Sequence, residues 1–169
     1  MNHLVRKVQR THDPEAFVKL MEMHKQSMVK TAKSYLSNEE DVADVVQEAI
    51  LTCYEKLDSL KEPKYFKTWL IRIVINKCKD VLRKNRELSI MDELPEQGDM
   101  DRSMSDLEFM DLLESLDEKY RIILVLYYAD GFNTREIGEI LDMNERTVKT
   151  RLVRGRDQFA KKYQEVLAM

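Results

Sequence analysis

Apolar residues recur at steps of three and four through the N-terminal half of the chain, the spacing of amphipathic helices. After Asp13-Pro14-Glu15, an N-cap with proline in the first turn, this pattern predicts a helix over about 14–36. A second helix begins after the caps Ser37-Asn38 and runs to Leu57. Pro63 breaks the pattern before a third helix. The positions expected to be buried on this third helix are Phe66, Trp69, Leu70, Ile73, Val74, Val81 and Leu82.

The periodicity fails over residues 87–105, which include Pro95 and Gly98. We interpret this segment as a flexible acidic linker. The predicted fold is therefore all-α, with two small helical domains at 1–86 and 106–169.

The C-terminal domain begins with apolar residues at 112–127 that predict two short helices ending at Gly131. Asn133 and Glu136 then resemble a capping box, and Asn144 caps another helix after a turn at Asp142-Met143. This pattern predicts a helix-turn-helix. Its inward-facing residues are Ile137, Ile140, Leu141, Val148, Leu152 and Phe159.

Composition limits the functional classes. With 43% apolar residues the 169-residue chain can form real cores, but no apolar run approaches the roughly 20 residues that span a bilayer. The N-terminus lacks the apolar centre of a signal peptide, so we expect a cytoplasmic protein that does not insert into a membrane. Cys53 and Cys78 lie in apolar stripes as reduced thiols, and the histidines lack metal-ligand spacing. We predict no cofactor and no metal.

Charge is strongly segregated along the chain although the net charge is only −3. Residues 61–86 carry nine basic and two acidic side chains, whereas residues 87–120 carry twelve acidic and two basic ones. The second helix presents an acidic solvent face that includes Asp41, Asp44, Gln47 and Glu48. These oppositely charged faces predict two kinds of partner, nucleic acid for the basic face and protein for the acidic one.

The third helix has a polar stripe with cations at four of its five positions. Its members, Arg72, Asn76, Lys79, Arg83 and Arg86, follow one another at steps of four, three, four and three. Such a stripe suits a phosphate backbone, and the Asn76 amide suits a base edge. In the preceding loop, Tyr65 among Lys61, Lys64 and Lys67 is suited to stack with unpaired bases. Trp69 lies on the apolar stripe, which favours core packing.

The second helix of the helix-turn-helix is predicted to enter the major groove. Arg146, Thr150 and Val153 stand opposite its buried stripe, flanked by Lys149 and Arg154. Arg and Lys suit guanine edges or phosphates, and the Thr and Val methyl groups suit thymine. Arg151 and Arg156 are expected nearer the core side, as backbone contacts.

Three segments in order, DVADVVQEAILTCYEKLDSL, FKTWLIRIVINKCKDVLRK and TREIGEILDMNERTVKTRLVRGR, resemble the extracytoplasmic-function (ECF) group of bacterial sigma factors. The resemblance implies a region 2-like helical bundle, a flexible linker and a region 4-like helix-turn-helix. It also implies three sets of contacts. Docking onto the clamp coiled coil of RNA polymerase would use Asp41, Asp44, Gln47 and Glu48. Binding and opening of the minus-ten promoter element would use Lys61, Lys64, Tyr65, Lys67, Arg72, Asn76, Lys79 and Arg83. Reading of the minus-thirty-five element would use Arg146, Thr147, Lys149, Thr150, Arg151, Val153 and Arg154.

The partners implied are core RNA polymerase, promoter DNA and an anti-sigma factor, and no chemistry is expected of the chain itself. The chain departs from the usual family pattern at Asp142, where Gly is common, and at Gly138, where Ala is frequent. Two other hypotheses remain. A helix-turn-helix repressor or activator would leave the acidic face and the basic loop without a purpose, and an all-helical adaptor would make the caps and basic stripes coincidental. An enzyme is the weakest hypothesis, because no phosphate-binding glycine loop or nucleophile with a base occurs.

Overall fold

The computed structural model describes residues 1–89, 109 and 111–169, and it divides into two compact units, Met1–Leu94 and Pro95–Met169. Within the described ranges the regular structure is helical, without strands, which confirms the all-α prediction. Of the predicted linker, residues 87–89 belong to a helix and the remainder lies outside the described residues. The domain boundaries at 86 and 106 stay predictions.

The N-terminal unit is built from four helices: α1 (Asn2–Thr11), α2 (Pro14–Tyr35), α3 (Glu39–Lys56) and α4 (Phe66–Ser89). Two 3₁₀ turns, Leu57–Ser59 and Pro63–Tyr65, connect α3 to α4. The predicted caps are present, since Asp13 accepts a hydrogen bond from the Glu15 N–H at 3.0 Å and Asn38 from the Glu40 N–H at 2.8 Å. Helix α1 was not predicted.

The core of this unit lies between α2, α3 and α4, which pack against one another. Its buried stripe on α4 is wider than predicted, because α4 contacts both other helices and therefore buries adjacent pairs of residues. Ile71, Ile75 and Cys78 are fully buried, whereas the predicted core positions Trp69, Ile73, Val81 and Leu82 are only half-buried. Trp69, which was predicted as a core residue, is thus only partly buried, with its ring centroid 6.0 Å from that of Phe66.

The C-terminal unit starts with a helical segment at 111–114 and continues with α5 (Glu118–Leu124), a π-helical turn (Val125–Ala129), α6 (Thr134–Leu141) and α7 (Glu145–Leu167). Helix α7 packs on α5 and α6. Tyr127 lies within the π turn and is exposed, although the apolar pattern placed it inside. Gly131 follows with φ of +74°, the left-handed conformation that glycine adopts readily.

Candidate nucleic-acid and protein interfaces

The acidic face of α3 is accessible to a partner. Asp44, Gln47 and Glu48 are exposed, and Asp41 is half-buried in the first turn. The Glu48 carboxylate lies 3.7 Å from the Lys77 ammonium of α4, an ion pair at the surface of the unit. This contact draws Lys77 toward α3.

Two apolar side chains extend the acidic face and were missed by the sequence reasoning. Leu51 is 63% exposed and Tyr54 is 50% exposed, in the C-terminal half of α3. Each follows a predicted contact, Asp44 or Gln47, by seven residues, which places them on the same stripe. That spacing could have identified Leu51 and Tyr54 from the sequence. Exposed apolar groups beside charged ones are typical of protein-binding surfaces.

The basic loop between α3 and α4 is presented to solvent. Lys61, Lys64 and Tyr65 are exposed, with Tyr65 at 50%. Lys67, which was predicted in this loop, lies instead in the first turn of α4 and is half-buried. The Lys64 ammonium lies 4.9 Å from the centroid of the Tyr65 ring, a cation–π distance. The loop therefore offers an aromatic face and positive charge together, as an unstacked base requires.

The predicted stripe on α4 is solvent-exposed along its length. Arg72, Asn76, Lys79 and Arg83 all lie on the exposed side, as the spacing predicted. Arg83 donates to the Asp80 carboxylate at 2.8 Å, so part of its charge is compensated locally. The basic loop leads directly into the helix that carries the stripe, at Phe66, the first residue of α4.

His24 of α2 packs against Phe66, the first residue of α4. It is 6% exposed, and its ring centroid is 5.2 Å from that of Phe66. Its Nε2 has no hydrogen-bond partner among the described residues. Burial, and secondarily the charge of Lys67, lower the pKa of His24.

The helix-turn-helix has the predicted caps. The side chain of Asn133 accepts from the Glu136 N–H at 2.9 Å and Glu136 accepts from the Asn133 N–H at 2.9 Å, which is the reciprocal capping box. In the turn, Asp142 adopts the left-handed conformation with φ of 54°. A Cβ atom on Gly138 would lie 2.8 Å from the carbonyl oxygen of Met143, so this glycine permits the close approach of the turn.

Glu145, at the start of α7, links the two helices of the motif. Its carboxylate accepts from the Thr134 hydroxyl at 2.8 Å and lies 3.2 Å from the Lys149 ammonium. The Thr134 hydrogen bond first, and Lys149 next, lower the pKa of Glu145. Sequence reasoning did not single out Glu145.

The outer face of α7 presents most of the predicted recognition residues. Arg146, Thr147, Lys149, Thr150, Val153 and Arg154 are exposed. Arg151 is half-buried, as expected for a residue nearer the core. Arg156 differs from the expectation, because it is exposed and donates to the Tyr128 hydroxyl at 3.3 Å. Arg156 therefore lies on the exposed side of α7. The neighbouring Gly155 is the buried residue, and it packs against Tyr120 and Leu124.

A helical unit with adjoining acidic and basic faces, in one chain with a helix-turn-helix unit, defines a DNA-binding protein with a further protein partner. Two family descriptions match the chain: Sigma-70 region 2 at residues 20–87 and Sigma-70, region 4 at residues 106–159. The first match covers the acidic face, the basic loop and the α4 stripe, and the second covers the helix-turn-helix.

Relatives and solved structures agree with these matches. The RNA polymerase sigma factor SigV of Bacillus subtilis (strain 168) is 33% identical over 78% of this chain and 81% of its own length. The ECF RNA polymerase sigma factor SigW of the same organism is 30% identical over 91% of this chain and 92% of its own. The sigma factor RpoE of Bartonella quintana, in a co-crystal structure with the anti-sigma factor NepR, has a TM-score of 0.79 over 88% of this chain and 96% of that chain, with 23% identity.

The chain therefore belongs to the ECF sigma factors of the sigma-70 family. Proteins of this family are transcription initiation factors that direct RNA polymerase to promoters, and they are not enzymes as a class. Within the described ranges, no helix is long and apolar enough to cross a membrane. The same residues contain no cluster of histidine, cysteine and carboxylate side chains that could hold a metal ion.

Proposed function

We propose that this sigma factor divides its task between three surfaces: the α3 acidic face for core RNA polymerase, the basic loop with the α4 stripe for the minus-ten element, and α7 for the minus-thirty-five element. The observation that carries the proposal is the direct succession, within one unit, of an exposed acidic and apolar face and an exposed basic and aromatic one. In a DNA-binding regulator that does not bind polymerase, the acidic and apolar face would have no function.

The polymerase contact uses Asp44, Gln47 and Glu48, with Asp41 at the rim and Leu51 and Tyr54 as apolar anchors. Charged groups at the rim steer the encounter, and the desolvated apolar groups supply affinity. The Lys77–Glu48 pair is weak because Glu48 is 62% exposed, so a basic surface of the polymerase can replace Lys77 at little cost.

The DNA contacts follow from charge and shape. Along α4, the stripe neutralises phosphates, and the cluster around Tyr65 receives unpaired bases as the duplex opens. On α7, Arg146, Lys149 and Arg154 contact guanine edges or phosphates, and Thr150 and Val153 pack against bases. Thr147 and Arg151 flank this surface as backbone contacts.

We also propose a cytoplasmic location, no catalytic activity of the chain itself and control by an anti-sigma factor that covers these surfaces. Membership of the ECF group supports this partner, and the similar fold of RpoE is bound to one in its co-crystal structure. No described residue identifies the inhibitor.

Transcription in vitro with purified core RNA polymerase tests the proposal. The wild-type chain is expected to direct promoter-specific transcripts from fragments of its source genome. Asp44→Ala with Glu48→Ala should weaken core binding about tenfold, because two charges of the proposed contact are removed. The matched control, Glu22→Ala with Glu165→Ala, removes two exposed carboxylates elsewhere and should bind core normally. Absence of any specific transcript with the wild type would overturn the proposed function.

A further inference from the structure

The side chain of Gln9 spans from α1 to the segment between α3 and α4. Its Nε2 donates hydrogen bonds of 2.9 Å to the carbonyl oxygens of both Leu57 and Leu60. The Leu57 carbonyl also accepts from the Leu60 N–H at 3.1 Å, within the short 3₁₀ turn. The Gln9 amide group therefore binds the residue at which the turn begins and the residue that follows the turn, directly before the basic loop.

Helix α1 holds Gln9 in a fixed place. The neighbouring Val8 is 2% exposed and Val5 is 0% exposed, and α1 packs on α2. The helix ends at Thr11 and is capped by His12, which takes the left-handed conformation and donates its N–H to the Val8 carbonyl at 2.8 Å. Helix α1 also contacts the second 3₁₀ turn, Pro63–Tyr65, whose Pro63 is buried.

Contacts with α1 thus hold both ends of the basic loop in place, while the basic and aromatic side chains of the loop remain exposed. Lys61, Lys64 and Tyr65 lie between the Gln9 hydrogen bonds and the start of α4. A loop that is already ordered loses less conformational entropy when it captures a base, so capture becomes more favourable. Without Gln9, two carbonyl groups of the turn lose their side-chain donor.

We infer that Gln9 is a positioning residue for promoter opening: it braces residues 57–65 so that the basic loop is presented in its base-binding conformation. The inference rests on the proposed function of the basic loop. It assigns to α1, which lies outside the Sigma-70 region 2 match at 20–87, a part in the action of that region.

Two substitutions in the full chain test the brace. Gln9→Glu has the same length but cannot donate as a carboxylate, and Gln9→Met has neither donor nor charge. The matched control is Gln26→Glu, an identical change at an exposed site on α2. Amide hydrogen exchange at Leu60 and Tyr65, followed by NMR, reports loop order without any need for a promoter. Open-complex formation with core polymerase, on a promoter selected by the wild-type holoenzyme, reports function.

Both Gln9 variants should speed exchange at Leu60 about tenfold, while Gln26→Glu leaves it unchanged. Both Gln9 variants should slow open-complex formation about three- to tenfold while their affinity for core polymerase changes by less than about twofold. General unfolding would instead reduce both the rate of opening and the affinity for core polymerase. Unchanged exchange in both Gln9 variants, equal acceleration in Gln26→Glu, or faster exchange with normal promoter opening would each overturn the inference. A wild type that opens no promoter would overturn the proposed function instead, and the exchange result would still decide whether the brace exists.

Discussion

His24 sits in the core of the N-terminal unit as a neutral side chain. It packs against Phe66, and the positive charge of Lys67 adds to the effect of burial in opposing its protonation. The pKa of His24 is thus lowered in the folded state from the ordinary value of 6.5. Because the unfolded chain takes up this proton more readily, the contribution of neutral His24 to stability is fully present above about pH 6.5 and is lost as the pH falls below it.

We therefore expect the N-terminal unit to lose stability between about pH 7 and pH 5.5, and His24→Leu to reduce this loss. The measurement is the urea midpoint of Trp69 fluorescence at the two pH values. His3→Gln is the control, since His3 is exposed. An identical pH dependence in His24→Leu and the wild type would contradict this account of His24.

Some single positions could be predicted from sequence because local chemistry alone determines them. Asp142 takes the left-handed turn conformation that short polar side chains tolerate, and Asn133 with Glu136 forms the capping box. Cys53 is also buried as predicted, and burial raises the pKa of its thiol to about 12. The roles of Gln9 and Glu145 were not predictable, because their partners are distant in sequence or in another helix.

Among the helices, α7 gives the sharpest test of sequence recognition. Arg146 and Lys149 are exposed on its outer face, three residues apart. We expect Arg146→Ala with Lys149→Ala to weaken binding to duplex promoter DNA and to leave core polymerase binding unchanged. The salt dependence of DNA binding should fall by roughly one unit of slope for each phosphate that the variant no longer neutralises. Fluorescence anisotropy at several salt concentrations measures both effects.

The control for this pair is Lys119→Ala with Lys19→Ala, which removes the same charge from exposed sites on α5 and α2, outside α7. Equal weakening in the control would mean that net charge, and not the recognition face, determines binding. Loss of both DNA and polymerase binding in the test pair would indicate a folding defect.

The side of each helix that faces the core was the structural property hardest to predict from the sequence. Periodicity placed Ile73 in the core, but α4 packs against two helices at once and buries Ile71 and Ile75 instead. A stripe drawn for a single contact face cannot anticipate this. Tyr127 was predicted to face the core but is exposed. It lies in a π-helical turn, which the apolar pattern does not predict. Helix α1 was missed because its ten residues contribute only Val5 and Val8 to the core.

At the scale of the whole chain, two units with separate cores predict two separate unfolding transitions. The single tryptophan, Trp69, lies in the N-terminal unit, so its fluorescence reports on that unit alone. We expect Ile123→Ala, which creates a cavity in the C-terminal core, to cost that unit about 2–5 kcal/mol. Urea unfolding followed by circular dichroism should shift while the Trp69 midpoint stays in place.

Phe66→Ala provides the reciprocal variant, because Phe66 is fully buried in the N-terminal core. It should lower the Trp69 midpoint and spare the C-terminal transition. A shift of the Trp69 midpoint by Ile123→Ala would show instead that the chain unfolds as one cooperative unit.

The position of α1 bears on how sigma factors of this kind can be recombined. A chimaera that exchanges only residues 20–87, the extent of the region 2 match, would join the basic loop of one parent to the α1 of the other. If the second parent lacks a donor at the site of Gln9, the grafted loop would be without its two hydrogen bonds while every side chain that we propose to bind DNA stayed in place. A transplant of promoter preference should therefore begin at residue 2, where α1 begins.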